Sequence, residues 1–130
     1  MQRFLVSIGG LGRNIEIRVR NKTPYKFEAD GVYFSSGTSD KVLQPELLPN
    51  RSVVYEARKG SGIVLRGVAG VLCYYNENEK GTLCVMFSVP FNCIVYANRW
   101  NVKMFTGKKA ASREIYKQMY HNNFMIGDDR

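Results

Sequence analysis

Two long apolar runs, 64–75 and 82–89, stand on either side of the turn-rich segment Asn76-Glu-Asn-Glu-Lys-Gly81. Both runs are rich in β-branched and aromatic residues, and such runs joined by turn chemistry specify a hairpin. Around it lie further strand signals. Asn14-Ile-Glu-Ile-Arg-Val-Arg20 alternates polar and apolar residues, which puts Ile15, Ile17 and Val19 on one face of a half-buried strand. Asn21-Lys-Thr-Pro24 ends it, because proline cannot donate to a ladder. A short strand is expected at Gly31–Phe34, closed by the loop Ser35–Asp40, with others at Ser52–Ala57 and Trp100–Phe105. The helical pattern is confined to Ala110–Asn122, where Ile115, Tyr116, Met119 and Tyr120 form one apolar stripe. Ser112 is a candidate cap for its first turn, and Asn122-Asn123 can end it. Strands precede any helix, so the expected fold is mainly β: a sandwich with one helix in the C-terminal half packed on it.

A chain of 130 residues, 45% of them apolar, suits a single domain with one core spanning 1–130. Within it, 1–13 reads as a leading segment and 14–130 as the sandwich. No stretch approaches the roughly 18 apolar residues of a spanning helix. The opening Met1–Gly10 carries a short apolar run without a small-residue cleavage pattern, which gives little support to a signal peptide and leaves a cytoplasmic chain open. The net charge of +8 favours a negatively charged or zwitterionic partner without choosing among lipid, polysaccharide and nucleic acid. Cys73, Cys84 and Cys93 contain no CxxC spacing, so neither a zinc site nor a disulfide framework is implied. Cys73 and Cys84 can pair if the hairpin sets them opposite each other; otherwise all three act as small buried hydrophobes.

Enzymatic readings fail on inventory. His121 is the single histidine, which excludes a histidine-rich metal cage, and a Cys93/His121 dyad has no nucleophile motif around it. Gly9-Gly10-Leu-Gly12 precedes a strand, whereas a phosphate cradle follows one and opens a helix. No cofactor is implied, and no nucleic-acid motif accompanies the charge. Aromatic residues crowd the second half instead, with Tyr74, Tyr75, Tyr96, Trp100, Tyr116 and Tyr120 among them. Lys103, Lys108, Lys109, Arg113 and Lys117 share its C-terminal part. Tyrosine rings attract a quaternary ammonium and their hydroxyls donate to phosphate, so such a cluster suits phosphocholine. The plainer alternative is that Tyr116 and Tyr120 bury their rings against the sheet.

Tyr33-Phe-Ser-Ser-Gly-Thr-Ser-Asp40, Gly67-Val-Ala-Gly-Val71, Phe87-Ser-Val-Pro90 and Tyr96-Ala-Asn-Arg-Trp-Asn-Val102 resemble, in order and spacing, the actinoporins, pore-forming cytolysins of sea anemones. Lys108-Lys-Ala110 and the Ile115–Tyr120 helix follow in place, so the resemblance covers roughly Gly12 to Asp128. Actinoporin-like relatives also occur outside anemones. The resemblance implies a sandwich flanked by helices that binds phosphocholine headgroups, sphingomyelin preferred. It implies secretion, as of a nematocyst toxin, and action at a target membrane. There an N-terminal amphipathic helix inserts and the protein oligomerises into a cation-conducting, cytolytic and hemolytic pore. By position, the headgroup pocket is lined by Ser36, Ala69, Ser88, Pro90, Tyr96, Tyr116, Tyr120 and His121. Ser36 and Ser88 would donate to the phosphate, and Tyr96, Tyr116 and Tyr120 would cage the choline. The membrane-facing loop corresponds to Phe91, Val95, Arg99 and Trp100.

The chain also departs from the pattern. Ser35 stands where the anemone toxins have arginine, Ala69 replaces a pocket valine, and His121 replaces the second of two paired tyrosines. Val95 and Arg99 replace interfacial tryptophans, while Trp100 keeps the third. Arg99 and the basic cluster are expected to compensate by attraction to anionic lipid, worth about 1 kcal/mol per basic residue. The thirteen residues before Asn14 would reach only about 20 Å as a helix, against a hydrocarbon core of about 30 Å. The family's N-terminal helix and last strands are therefore expected to be absent, and membrane binding without efficient piercing is the expectation. The alternative is a lectin-like or protein-binding sandwich without pore activity, favoured by the loss of membrane-seeking rings.

Overall fold

The computed structural model describes residues 3–9, 14–59, 67–90 and 99–121. Its centre is the anticipated hairpin, β6 (Val68–Asn76) and β7 (Gly81–Val89), in register from Val68↔Val89 to Asn76↔Gly81. Asn76 closes the turn by accepting the Glu79 amide at 2.6 Å, and Lys80 takes the left-handed conformation at φ 51°. Both strands are buried at almost every position because both faces of their sheet are covered.

That sheet has five antiparallel strands in the order β4-β3-β6-β7-β8, with β3 at Phe27–Ser36, β4 at Glu46–Leu47 and β8 at Arg99–Thr106. A second sheet, β1-β2-β5, packs on one face of it; β1 is Phe4–Gly9, β2 Asn14–Asn21 and β5 Ser52–Arg58. Ile17 and Val19 of β2 meet Phe27, Leu72, Tyr74, Val85 and Phe87 of the larger sheet in the sandwich core. The helix α1, Arg113–His121, covers the other face. Its Ile115 and Met119 pack on Val71, Cys73, Cys84, Met86 and Phe105. Burying two such side chains stabilises the helix on the sheet by about 2 kcal/mol each.

The fold is the mainly β sandwich with one helix that the sequence implies, with boundaries corrected by tertiary pairing. Strand β3 is longer than Gly31–Phe34 because β6 supplies ladder partners from Glu28 to Ser36. Irregularities between Ala29 and Val32 and between Phe34 and Ser36 absorb the residues that break its pattern. Ser35 and Ser36 thus belong to a strand and not to the loop expected there. Strand β1 has no counterpart among the strands expected from residue pattern; its pairing with β2, from Phe4↔Asn21 to Gly9↔Glu16, gives the short opening run its structure. Of the run 64–75, residues 64–66 lie outside the described residues. Helix α1 starts at Arg113 and not at Ala110, because the Ser112 hydroxyl accepts the Ile115 amide at 3.2 Å and sets the boundary.

Buried polar groups fix the loops. Asn21 donates to the carbonyls of Tyr25 (2.7 Å) and Leu47 (3.2 Å) and accepts from the amide and hydroxyl of Thr23. One asparagine thereby joins the end of β2 to β4 and holds the Asn21–Pro24 turn. Cys73 and Cys84 are direct cross-strand partners under α1, both free thiols and both buried, with sulfurs 3.0 Å apart. Cys93 lies outside the described residues.

Candidate functional site

Ser36, Ala69, Ser88 and Arg99 lie in one row across the large sheet. Ser36 of β3 pairs with Ala69 of β6, Ala69 with Ser88 of β7, and Ser88 with Arg99 of β8. Successive side chains on a strand alternate between faces. Ala69 therefore shares a face with Val71 and Cys73, and Ser88 with Met86 and Cys84, which is the face covered by α1. The row crosses that face at the end of the sheet near the last turn of the helix. Only the methyl group of Ala69 stands between the two serines, so they flank a shallow floor about 10 Å across at the usual strand spacing.

Tyr116 and Tyr120, one helical turn apart, project over this row from α1. Tyr116 packs between Tyr33 of β3 (ring centroids 6.2 Å apart, planes 47° apart) and Tyr120 (5.8 Å, 33°). The phenol of Tyr116 is within hydrogen-bonding reach of the Ser88 hydroxyl. Burial pushes its ionisation up, as does the nearby Tyr120, against the opposing pull of Ser88 and Arg99. His121, exposed at the helix end, sets its ring edge against Tyr120 at 5.4 Å. The guanidinium of Arg99 lies 4.6 Å from the Tyr120 ring centre and donates to the Tyr120 carbonyl at 2.7 Å. Ser36 donates to the Gly67 carbonyl at 3.2 Å, so its hydroxyl must turn before it can donate to a ligand.

Of the eight residues proposed for the pocket, the structure brings together Ser36, Ala69, Ser88, Tyr116, Tyr120 and His121. Pro90 follows the end of β7 and is half-buried, while Tyr96 lies outside the described residues. Among the proposed interface residues, Phe91 and Val95 also lie outside them. Trp100 pairs with Phe87 and packs against the sandwich core, on the sheet face opposite the serine row. Arg99 instead belongs to the cluster itself. Tyr33 and the Gly67 carbonyl are contributors that residue type alone does not single out, since both depend on how β3 crosses β6 and α1. A separate cleft of about 590 Å³ opens beside the small sheet, lined by Asn14, Ile15, Glu16, Asp40, Glu56, Ala57 and Arg58. It offers no aromatic face.

The arrangement can do two things at once. Hydroxyls and a guanidinium along one edge can hold a phosphate, and the adjacent phenols present π surface to a cation. Among the described residues no group of histidine, cysteine and carboxylates is placed to hold a metal ion.

The family model for the sea anemone cytotoxic protein matches residues 1–130. DELTA-alicitoxin-Pse1b of Phyllodiscus semoni is 42% identical over 123 residues, which make up 95% of this chain and 54% of that protein. DELTA-stichotoxin-Hcr4a of Radianthus crispa is 38% identical over 130 residues, covering 99% of this chain and 73% of that protein. Deep-sea actinoporin Cjtox I of Cribrinopsis japonica is 41% identical over 121 residues, 93% of this chain and 54% of that protein. The chain thus spans about half the length of several curated relatives it matches. The matched sequence, the two antiparallel sheets and the helix over the serine row agree: the chain belongs to the sea anemone cytotoxic protein family, the actinoporins.

Proposed function

We propose that this chain binds membranes by recognising lipid headgroups at the row Ser36–Ala69–Ser88 beneath Tyr116 and Tyr120, with phosphocholine as the headgroup and sphingomyelin as the preferred lipid. The observation that carries the reading is the register: two hydroxyls flank the Ala69 methyl beside the tilted phenol pair of Tyr116 and Tyr120. Ser88 and Ser36 serve the phosphate. The tyrosine rings serve the quaternary ammonium, with Tyr96 and Pro90 completing the pocket and His121 at its rim. The role is binding and not catalysis. By family likeness the proposal extends to assembly of a pore on a target membrane, reached by a secreted protein, in keeping with a relative named cytolysin tenebrosin-B. Among the described residues no helix is long and apolar enough to cross a membrane, so recognition and piercing are separate claims.

Vesicle flotation tests recognition. Wild-type protein is expected to float with phosphatidylcholine vesicles, more strongly when sphingomyelin is added, and Tyr116→Ala and Tyr120→Ala are each expected to lose most of that binding. Equal, negligible flotation with and without sphingomyelin overturns the headgroup reading. Release of a trapped dye from the same vesicles tests pore assembly independently, and protein that floats without releasing dye binds without piercing.

A further inference from the structure

We infer that Arg99 forms an anion-binding subsite within this cluster, which makes the protein prefer membranes containing a net-negative phospholipid over purely phosphocholine membranes. The inference rests on the headgroup reading and specifies the lipid composition it requires. Arg99 is the β8 member of the row, directly opposite Ser88, and is exposed. Its guanidinium is held at two points, over the Tyr120 ring at 4.6 Å and on the Tyr120 carbonyl at 2.7 Å. An arginine fixed in this way loses less freedom on binding than a free side chain, and its planar fork retains N–H donors for phosphate oxygens. Among the described residues no carboxylate forms an ion pair with it, so its charge is not cancelled locally.

The same placement weakens the hold on choline without removing it. The guanidinium occupies a face of Tyr120 that a quaternary ammonium would otherwise use, and Tyr116 crowds the ring from 5.8 Å. Tyr116 is itself flanked by Tyr33 and Tyr120. Two cations on one ring stack repel, whereas a cation beside two hydroxyls attracts phosphate. The site therefore has a stronger hold on the phosphate half of a headgroup than on its ammonium half. A lipid whose remaining headgroup carries negative charge removes the repulsion and adds attraction. The charge of the whole chain would draw it to any anionic surface, so the claim is local: the preference runs through Arg99.

The test uses the full chain and two vesicle compositions, phosphatidylcholine alone and phosphatidylcholine with a minority of phosphatidylserine. Wild type is expected to bind the mixed vesicles at least about fivefold more tightly, the factor a single well-placed cation supplies. Arg99→Gln is expected to lose that gain. Arg99→Lys keeps the charge without the planar fork and is expected to recover only part of it. The charge-matched control is Arg18→Gln, on the exposed face of β2, which is expected to keep the gain. If Arg99→Gln and Arg18→Gln lose it equally, diffuse charge explains the preference and the subsite is wrong. The subsite is equally wrong if Arg99→Gln keeps the gain. Wild type that binds mixed vesicles through Arg99 but ignores phosphatidylcholine overturns the phosphocholine reading alone. Binding to neither composition overturns both. Circular dichroism of each variant confirms that the exposed substitutions leave the fold intact.

Discussion

Asn101 of β8 donates its side-chain amide to the carbonyl of Met119 in α1 at 3.0 Å. The last carbonyls of a helix have no partner within it, and here the sheet supplies one. Asn101 is buried, and its side-chain oxygen accepts the Val102 amide, so the residue is committed to both strand and helix. The bond anchors the turn that carries Tyr120, next in sequence to Met119. Asn101→Ala is expected to destabilise the protein by about 1–3 kcal/mol, since a buried acceptor is left unpaired. The urea midpoint should fall at unchanged m-value, and flotation on phosphatidylcholine vesicles should weaken as Tyr120 loses its anchor.

At Gly70 the backbones of β3 and β6 approach each other closely. A methyl group on this glycine would collide with the Tyr33 carbonyl and sit 3.1 Å from both the Phe34 Cα and the Phe87 ring. Backbone cannot yield as a flexible side chain does, so Gly70→Ala is expected to cost about 1–3 kcal/mol or more. Gly9→Ala, with open space around the new atom, serves as the control and should leave the melting temperature nearly unchanged. Equal behaviour of the two variants would contradict the close approach.

Alkaline solution should unfold the protein through its tyrosines. Burial raises the ionisation of Tyr74, whose hydroxyl donates to the Gln44 carbonyl at 2.7 Å, and that of Tyr116. Below the ordinary tyrosine value of 10.0 both states hold the proton and the contribution is intact. Above it the unfolded chain ionises while the folded one does not, so stability falls as pH rises. Denaturation free energies measured on either side of that value should show the decline, and Tyr74→Phe should make it shallower. The variant starts about 1 kcal/mol lower at neutral pH, having lost one hydrogen bond.

The paired thiols under α1 should be inert while the protein is folded. The hydrogen bond with Cys73, reinforced by burial, pushes the Cys84 thiol far up, and only a thiolate reacts readily. Alkylation by iodoacetamide in mildly alkaline buffer, followed by peptide mapping, should leave Cys73 and Cys84 unmodified in native protein and label both in urea. Rapid native labelling of either would mean that α1 opens the sheet face to solvent.

Residue patterns were sufficient for the parts of the molecule governed by near neighbours in the chain. Period-two alternation marked β2, apolar runs around a turn marked β6 and β7, and a stripe at helical spacing marked α1. Family likeness along the chain pointed to Ser36, Ser88, Tyr116 and Tyr120, four side chains that the fold does collect. Strand β1 escaped because the apolar Leu5 on its exposed face blurs the alternation of Phe4 and Val6. The full length of β3 escaped because its ladder is completed by β6, remote in sequence. The roles of Tyr33, Asn101 and the Gly67 carbonyl escaped for the same reason.

By itself, then, the sequence determined a mainly β sandwich with a C-terminal helix and named most of the residues of the proposed headgroup site. Only the tertiary structure decided the register that lines up Ser36, Ala69, Ser88 and Arg99, and the angle at which α1 lays its tyrosines over them. It also turned Trp100 inward to the sandwich core and placed Arg99 against Tyr120. Register and helix placement are set by contacts summed across the whole sheet, and local propensity carries no record of them.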